Sequence, residues 1–155
     1  MSYDEKFLAL RDLPPQPAVP GEANFIQYRK TGKLLTLAGY GPLKGTTIPR
    51  QYKGKLGRDL TARQGYNAAR LTGINLLLIA RAALTSLDEI DYILNVEGFV
   101  NCMDFFTEQP TVMNGCSDLL VEIFGKQGKH TRSAIGVNSL AFDLSVEISM
   151  TLMIR

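Results

Sequence analysis

Lys129-His130-Thr131-Arg132-Ser133-Ala134-Ile135-Gly136-Val137, followed a few residues later by Leu144-Ser145-Val146-Glu147-Ile148-Ser149-Met150, decides the fold. Both stretches alternate with a period of two, the pattern of strands. In the second, Val146, Ile148, Met150, Leu152 and Ile154 point one way, and Glu147, Ser149 and Thr151 the other. Read as two adjacent strands, they bring Arg132 and Glu147 together at a sheet edge. A guanidinium is a planar fork suited to a carboxylate, and a glutamate nearby can position or deprotonate a water. An ordinary cross-strand ion pair has the same spacing, so spacing alone does not separate the two.

Working backwards, Gly125 closes a helix predicted over about Thr111 to Phe124, with Val112, Met113, Cys116, Leu119, Leu120 and Ile123 on its apolar side. Ile90 to Asn101 alternates as a long strand. Its two faces are Ile90, Tyr92, Leu94, Val96, Gly98, Val100 and Asp91, Ile93, Asn95, Glu97, Phe99, Asn101. Thr61-Ala62-Arg63-Gln64 fits a capping box and opens a helix from about Ala62 to Leu84. That helix is apolar over so much of its girth that a sheet beneath it and a subunit beside it are both expected. Asn24 to Lys30 and Lys33 to Gly39 read as a hairpin turning at Thr31-Gly32. Between Gly39 and Asp59, five glycines and two prolines mark a loop, with one extended piece near Gln51 to Lys55. Residues 3–11 form a short helix, stopped by Leu13-Pro14-Pro15-Gln16-Pro17-Ala18-Val19-Pro20-Gly21, a stiff packing arm.

The order strand-strand, helix, strand, helix, strand-strand predicts an α+β fold, a mixed sheet with two helices packed on one face. By length the chain, residues 1–155, is a single domain, with 1–23 as N-terminal helix and proline strap. By parity Leu35, Leu37, Ile93 and Phe99 would lie on the uncovered face, an apolar patch that implies a homo-oligomer.

A net charge of +2 gives no electrostatic case for nucleic acid or an anionic membrane. One histidine and two cysteines without CxxC spacing exclude a structural zinc centre, and no metal or other cofactor is expected. Met1 to Lys6 is mixed in charge and no apolar run follows it, and Ile74 to Ala83 is broken by Asn75 and Arg81. A soluble, cytoplasmic protein is expected. Gly39-Tyr40-Gly41-Pro42-Leu43 lacks the lysine and the following helix of a phosphate loop.

Thr31-Gly32-Lys33-Leu34-Leu35-Thr36-Leu37-Ala38-Gly39, Arg132-Ser133 and Val146-Glu147-Ile148 together resemble the YjgF/RidA family of reactive-intermediate deaminases, also known as L-PSP endoribonucleases. The likeness covers roughly residues 24–155. The proline strap, Gly65-Tyr66-Asn67-Ala68-Ala69-Arg70, Asn114-Gly115-Cys116-Ser117-Asp118 and Gly128-Lys129-His130-Thr131-Arg132 are similar to a longer, uncharacterised subgroup. The resemblance implies a chorismate-mutase-like fold assembled as a homotrimer with three clefts between subunits. It implies hydrolysis of imines or enamines such as 2-aminoacrylate to a 2-keto acid and ammonia. Arg132 would hold the substrate carboxylate and Glu147 the attacking water. Gly39 and the backbone around Ala134 would line the pocket.

Three positions depart from the family pattern. Ala134 stands where a cysteine is common, Phe25 where a tyrosine is, and Ser117 falls near a common asparagine. Phe25 and Ala134 favour the alternative of a small-carboxylate-binding regulatory module without turnover. His130 shares strand parity with Arg132 and is a candidate to add a proton or charge. The basic loop of Lys44, Arg50, Lys53, Lys55 and Arg58 is read as solvated, because RNA cleavage would want a second histidine and interleaved aromatics.

Overall fold

The computed structural model describes residues 1–17 and 23–155, so the proline-strap reading for Ala18 to Gly21 lies outside the described residues. Helix α1 (Tyr3–Leu8) is followed by strands β1 (Tyr28–Thr31) and β2 (Leu34–Tyr40), then helix α2 (Ala62–Leu84). Strand β3 (Ile90–Asn101), helix α3 (Gln109–Phe124) and strands β4 (Thr131–Val137) and β5 (Val146–Ile154) complete it. The sheet runs in the order β1-β2-β5-β3-β4. Only β3 and β4 are parallel, and α3 is the crossover that joins them. Both long helices cover one face, α2 lying on β2 and β5 and α3 on β3 and β4. This is the expected α+β sheet with two helices on one side.

Local chemistry explains the ends of the elements. Thr61 and Gln64 form the capping box that starts α2, with each side chain bonded to the other's backbone N–H. Helix α3 begins two residues before its expected start, because Pro110 sits in the first turn, where its missing N–H costs nothing. Around Gln51 to Lys55 the expected extended piece begins only after a short 3-10 turn, Arg50–Tyr52, at Lys53, which is extended and bridges to Leu144. At the end of β3, buried Asn101 donates to the carbonyls of Gly54 and Leu144 and accepts from Lys55 Nζ at 2.9 Å. This one side chain ties the loop before α2 and the turn before β5 to the sheet.

Two expectations about faces are corrected. Leu35, Leu37 and Ile93 are buried in the core under the helices, and of the set only Phe99 faces the open side. Leu35 pairs with Leu152 and Leu37 with Met150, which fixes them inward. Ile93 turns inward because β3 changes register against β5 between Ile90 and Tyr92 and again between Ile93 and Asn95. The open face carries Thr36, Glu97, Ser133, Ser149 and Thr151 among Leu34, Phe99, Ile135 and Met153, so it is a mixed surface in place of the apolar patch expected. Part of α2 away from the sheet is covered by the chain's own N-terminal segment, where Asp12 pairs with Arg70 at 2.9 Å. Phe7 is fully buried, Leu10 and Leu13 pack on the core, and Asp4 pairs with Arg81 at 2.8 Å.

Helices α2 and α3 approach closely at Gly115, where an added Cβ would stand 1.9 Å from the carbonyl oxygen of Tyr66. The obstacle is backbone on a packed helix and cannot swing aside. Gly115→Ala is therefore expected to lower unfolding free energy by about 3 kcal/mol or more. Urea denaturation checks this, and an unchanged midpoint would contradict the packing described.

Candidate active site

Arg132 lies on the edge strand β4, opposite Val96 of β3, which is itself opposite Met150 of β5. Directly paired residues share a face, so Arg132 points to the helix side with Val96 and Met150. There its Nη1 donates to Asn114 Oδ1 at 2.8 Å and to Ser117 Oγ at 3.1 Å. Asn114 and Ser117 are one helical turn apart on α3, hence on one face. No carboxylate pairs with Arg132, and Nε and Nη2 make no hydrogen bond among the described residues. A half-buried cation is held by neutral acceptors with most of its fork open.

His130 extends this set. Its Nδ1 lies 2.6 Å from the carbonyl of Gly128, and a carbonyl only accepts, so Nδ1 carries the proton. Nε2 is then an acceptor, and the Ser117 hydroxyl donates to it at 2.9 Å. Ser117 thereby keeps lone pairs for Arg132. Burial, with the Arg132 charge beside it, outweighs the Gly128 hydrogen bond and holds the imidazole below the usual histidine value, which favours this neutral form. Ala134, two residues on from Arg132, packs on the core from the same face. Burial pushes the neighbouring Cys116 thiol up to about 12, so no thiolate is available there at neutral pH.

Glu147 is elsewhere. It pairs with Phe99, which pairs with Ile135, and so it points to the open face. Strand β3 separates its strand from that of Arg132, by roughly 10 Å across the sheet. The reading of two adjacent strands with Arg132 beside Glu147 is therefore corrected: within one chain they sit on opposite faces. Glu147 stands instead against Gly39, where a Cβ would come within 3.1 Å of its Cδ, and lies in a cavity of about 420 Å³. Phe25, Tyr40, Leu43, Ile48, Phe142 and Leu144 supply most of the apolar lining. Phe25 precedes β1, which starts four residues later than the sequence suggests, and is largely exposed. The Glu147 carboxyl has no hydrogen-bond or ion-pair partner among the described residues, and burial raises its pKa.

The residues thus fall into two groups, Arg132, Ser117, His130 and Ala134 in one, and Glu147, Gly39 and Phe25 in the other. Sequence reasoning missed Asn114, although its spacing of three from Ser117 was a usable signal. It also missed Asn75, fully buried on α2, whose Nδ2 donates to the carbonyls of Gly41 (3.2 Å) and Leu43 (2.7 Å) and so fixes a wall of the cavity. Among the described residues no three His, Cys, Asp or Glu side chains gather as a metal would need, and no helix is long and apolar enough to cross a membrane.

Residues 9–148 match the family described as YjgF/chorismate mutase-like, putative endoribonuclease. The chain belongs to the YjgF/RidA family. Protein TCP17 of Trypanosoma cruzi is 36% identical over 135 residues, 86% of this chain and 82% of that protein. Among solved structures, Atu1372 of Agrobacterium tumefaciens, of unknown function, superposes with a TM-score of 0.89 at 32% identity, covering 99% of this chain and 92% of that one. A Shewanella oneidensis protein named a putative endoribonuclease gives 0.89 at 29% identity, over 99% and 100%. The family membership and the chorismate-mutase-like fold implied by the motifs both hold.

Glu147 makes a prediction about stability. With its pKa raised above 4.5 in the folded chain, the folded state binds the proton more tightly than the unfolded one. Stability from this group is present below about pH 4.5 and is lost as pH rises through the folded value. Glu147→Gln is therefore expected to melt higher than the wild type at pH 7, with the difference shrinking towards pH 4. Scanning calorimetry across that range decides it, and a lower melting temperature for the variant at pH 7 would mean the carboxylate is paired.

Proposed function

We propose that this chain hydrolyses 2-imino or enamino acids to a 2-keto acid and ammonia, in a homotrimer whose sites are shared between copies. The observation that carries the reading is the state of Arg132. A guanidinium held by Asn114 and Ser117, with Nε and Nη2 open, is set to take a carboxylate in a bidentate grip. Its chemical complement, the unpaired and half-buried Glu147, points to the other face of the sheet. One copy cannot bring the two together, and a neighbour presenting Glu147 to the Arg132 edge would. The number three comes from the family resemblance, and the need for a second copy from the separation of the two groups.

Chemically the demand on the site is modest. Imines are electrophilic and hydrolyse in water unaided, so orientation and one positioned water supply the catalysis. With the substrate carboxylate on Arg132, Glu147 takes a proton from the water as its oxygen bonds to the imine carbon, and passes that proton to the nitrogen to give the neutral carbinolamine. In the collapse Glu147 takes the carbinolamine hydroxyl proton as the C=O bond of the keto acid forms, and returns it to the nitrogen as the C–N bond breaks and ammonia leaves. Burial, which raises the Glu147 pKa, makes its carboxylate a stronger base for that proton than an exposed glutamate. Ser117 and Asn114 act by aiming Arg132, and His130 by fixing the Ser117 hydroxyl.

Truncating one partner of a desolvated charge pair costs about 2–5 kcal/mol. Arg132→Ala is expected to reduce kcat/KM for freshly generated 2-aminoacrylate by at least about 30-fold. Keto-acid release measures it. Undiminished turnover would contradict the assignment. Carboxylate binding without turnover in the wild type would make this a sensing module. RNA cleavage that survives Arg132→Ala would return the chain to the family's endoribonuclease description.

A further inference from the structure

The chain before β1 and the first half of α2 take no part in the groups around Arg132 and Glu147, yet together they enclose a second cavity of about 410 Å³. Arg70 and Leu71 lie three and four residues after Asn67, so all three line it from one face of α2. Leu13, Pro14 and Pro15 line it from the N-terminal segment, and Lys44 and Tyr52 from the loop before α2. The strap is anchored on either side of those two prolines. Asp12 pairs with Arg70 at 2.9 Å, Gln16 Nε2 donates to the Leu78 carbonyl at 3.5 Å, and Pro17 is buried. Proline also fixes its own φ, so this wall is set before any ligand arrives. The cavity is separate from the one beside Glu147. Leu43 lines that cavity and Lys44 this one, and Asn75 holds the segment between them through the Leu43 carbonyl at 2.7 Å.

The polar groups here are donors in search of an acceptor. Arg70 is engaged by Asp12 and, at 3.0 Å, by Glu122, and Asp12 is the one carboxylate among the described lining residues. Arg11 and Lys44, which also line the cavity, form no ion pair among the described residues. The Tyr52 hydroxyl and the Asn67 side chain likewise make no hydrogen bond there. Burial, and then the Asp12 charge, push the Tyr52 phenol above its usual value, so it keeps its proton and donates. Two unspent positive charges and a phenol O–H therefore stand beside the apolar surfaces of Leu13, Pro14, Pro15 and Leu71. A strap that served packing alone would close this space with apolar side chains.

We propose that the cleft between the proline strap and α2 binds a phosphate monoester with a flat apolar body. Its dianionic head lies on Arg11, Lys44 and the Tyr52 hydroxyl, and its body against Pro14, Pro15 and Leu71. Two free cations match two negative charges, and the O–H and amide serve the remaining oxygens. A monoanionic carboxylate leaves one cation unmatched. Inorganic phosphate satisfies the charge but leaves the apolar walls uncovered in a space large enough for an organic ligand. This site stands independently of the hydrolytic reading of Arg132 and Glu147.

Calorimetric titration of the full chain at pH 8, where the phosphate head is a dianion, tests the proposal with three probes, phenyl phosphate, inorganic phosphate and benzoate. Phenyl phosphate is expected to bind at least about tenfold more tightly than either of the others, since its ring counts as several buried methylenes, each worth a factor of about four. Lys44→Ala and Arg11→Ala replace exposed side chains. Each is expected to weaken phenyl phosphate at least about fivefold with the melting temperature unchanged, whereas Lys44→Arg stays within about twofold of the wild type. Arg132→Ala is expected to bind it as the wild type does. Absence of phenyl phosphate binding overturns the proposal, as do equal affinities for the three probes. Affinity untouched by both alanine variants overturns it as well, and loss of binding in Arg132→Ala does so by moving the anion to the other surface.

Discussion

Strand β3 lies between β4 and β5, and this placement separates the cation from the acid. It follows from covalent geometry, because a parallel pair needs a crossover and α3 provides one between β3 and β4. Once β4 is on the outer edge, the pairing of Arg132 with Val96 turns the guanidinium towards α3, and the pairing of Glu147 with Phe99 turns the carboxyl away. No side-chain rotation within one chain undoes that. The proposed chemistry therefore depends on assembly, and each copy offers half of what the reaction uses on each of two surfaces.

The way Arg132 is held keeps that half ready for a ligand. A carboxylate partner would have positioned the guanidinium equally well and neutralised it. Asn114 and Ser117 give direction without charge, and the Gly128 carbonyl, acting through His130 and Ser117, fixes which way each proton points. On the other surface Glu147 is left without a partner and loses solvation, the kind of local cost that folds retain where a proton has to move.

Much of this architecture is legible in the residues. The bounds of α2 follow from Thr61 and Gln64 at one end and the apolar period to Leu84, and β3 from its alternation. The helix-covered sheet follows from the order of elements, and the family from short motifs on β2, β4 and β5. What was not legible is tertiary. A periodic pattern says that β4 and β5 are strands but not that a third strand runs between them. Two irregularities in β3 move Ile93 to the inner face, and no single residue there announces them. Asn75 looks like a blemish in an apolar run until its bonds to Gly41 and Leu43 are seen. Phe142 reads as one more apolar residue before a strand, because its left-handed backbone, at φ 57°, has no sequence signature.

Mixing two inactive proteins tests the shared site most directly. Arg132→Ala and Glu147→Gln, each purified, are unfolded together, refolded in equal amounts and assayed for keto-acid release. If every site takes its arginine from one copy and its glutamate from the next, random assortment leaves about a quarter of the sites intact, and activity should return to about that share of the wild-type rate. If each copy carries a complete site of its own, the mixture stays as inactive as its parents, and a site shared between subunits is ruled out.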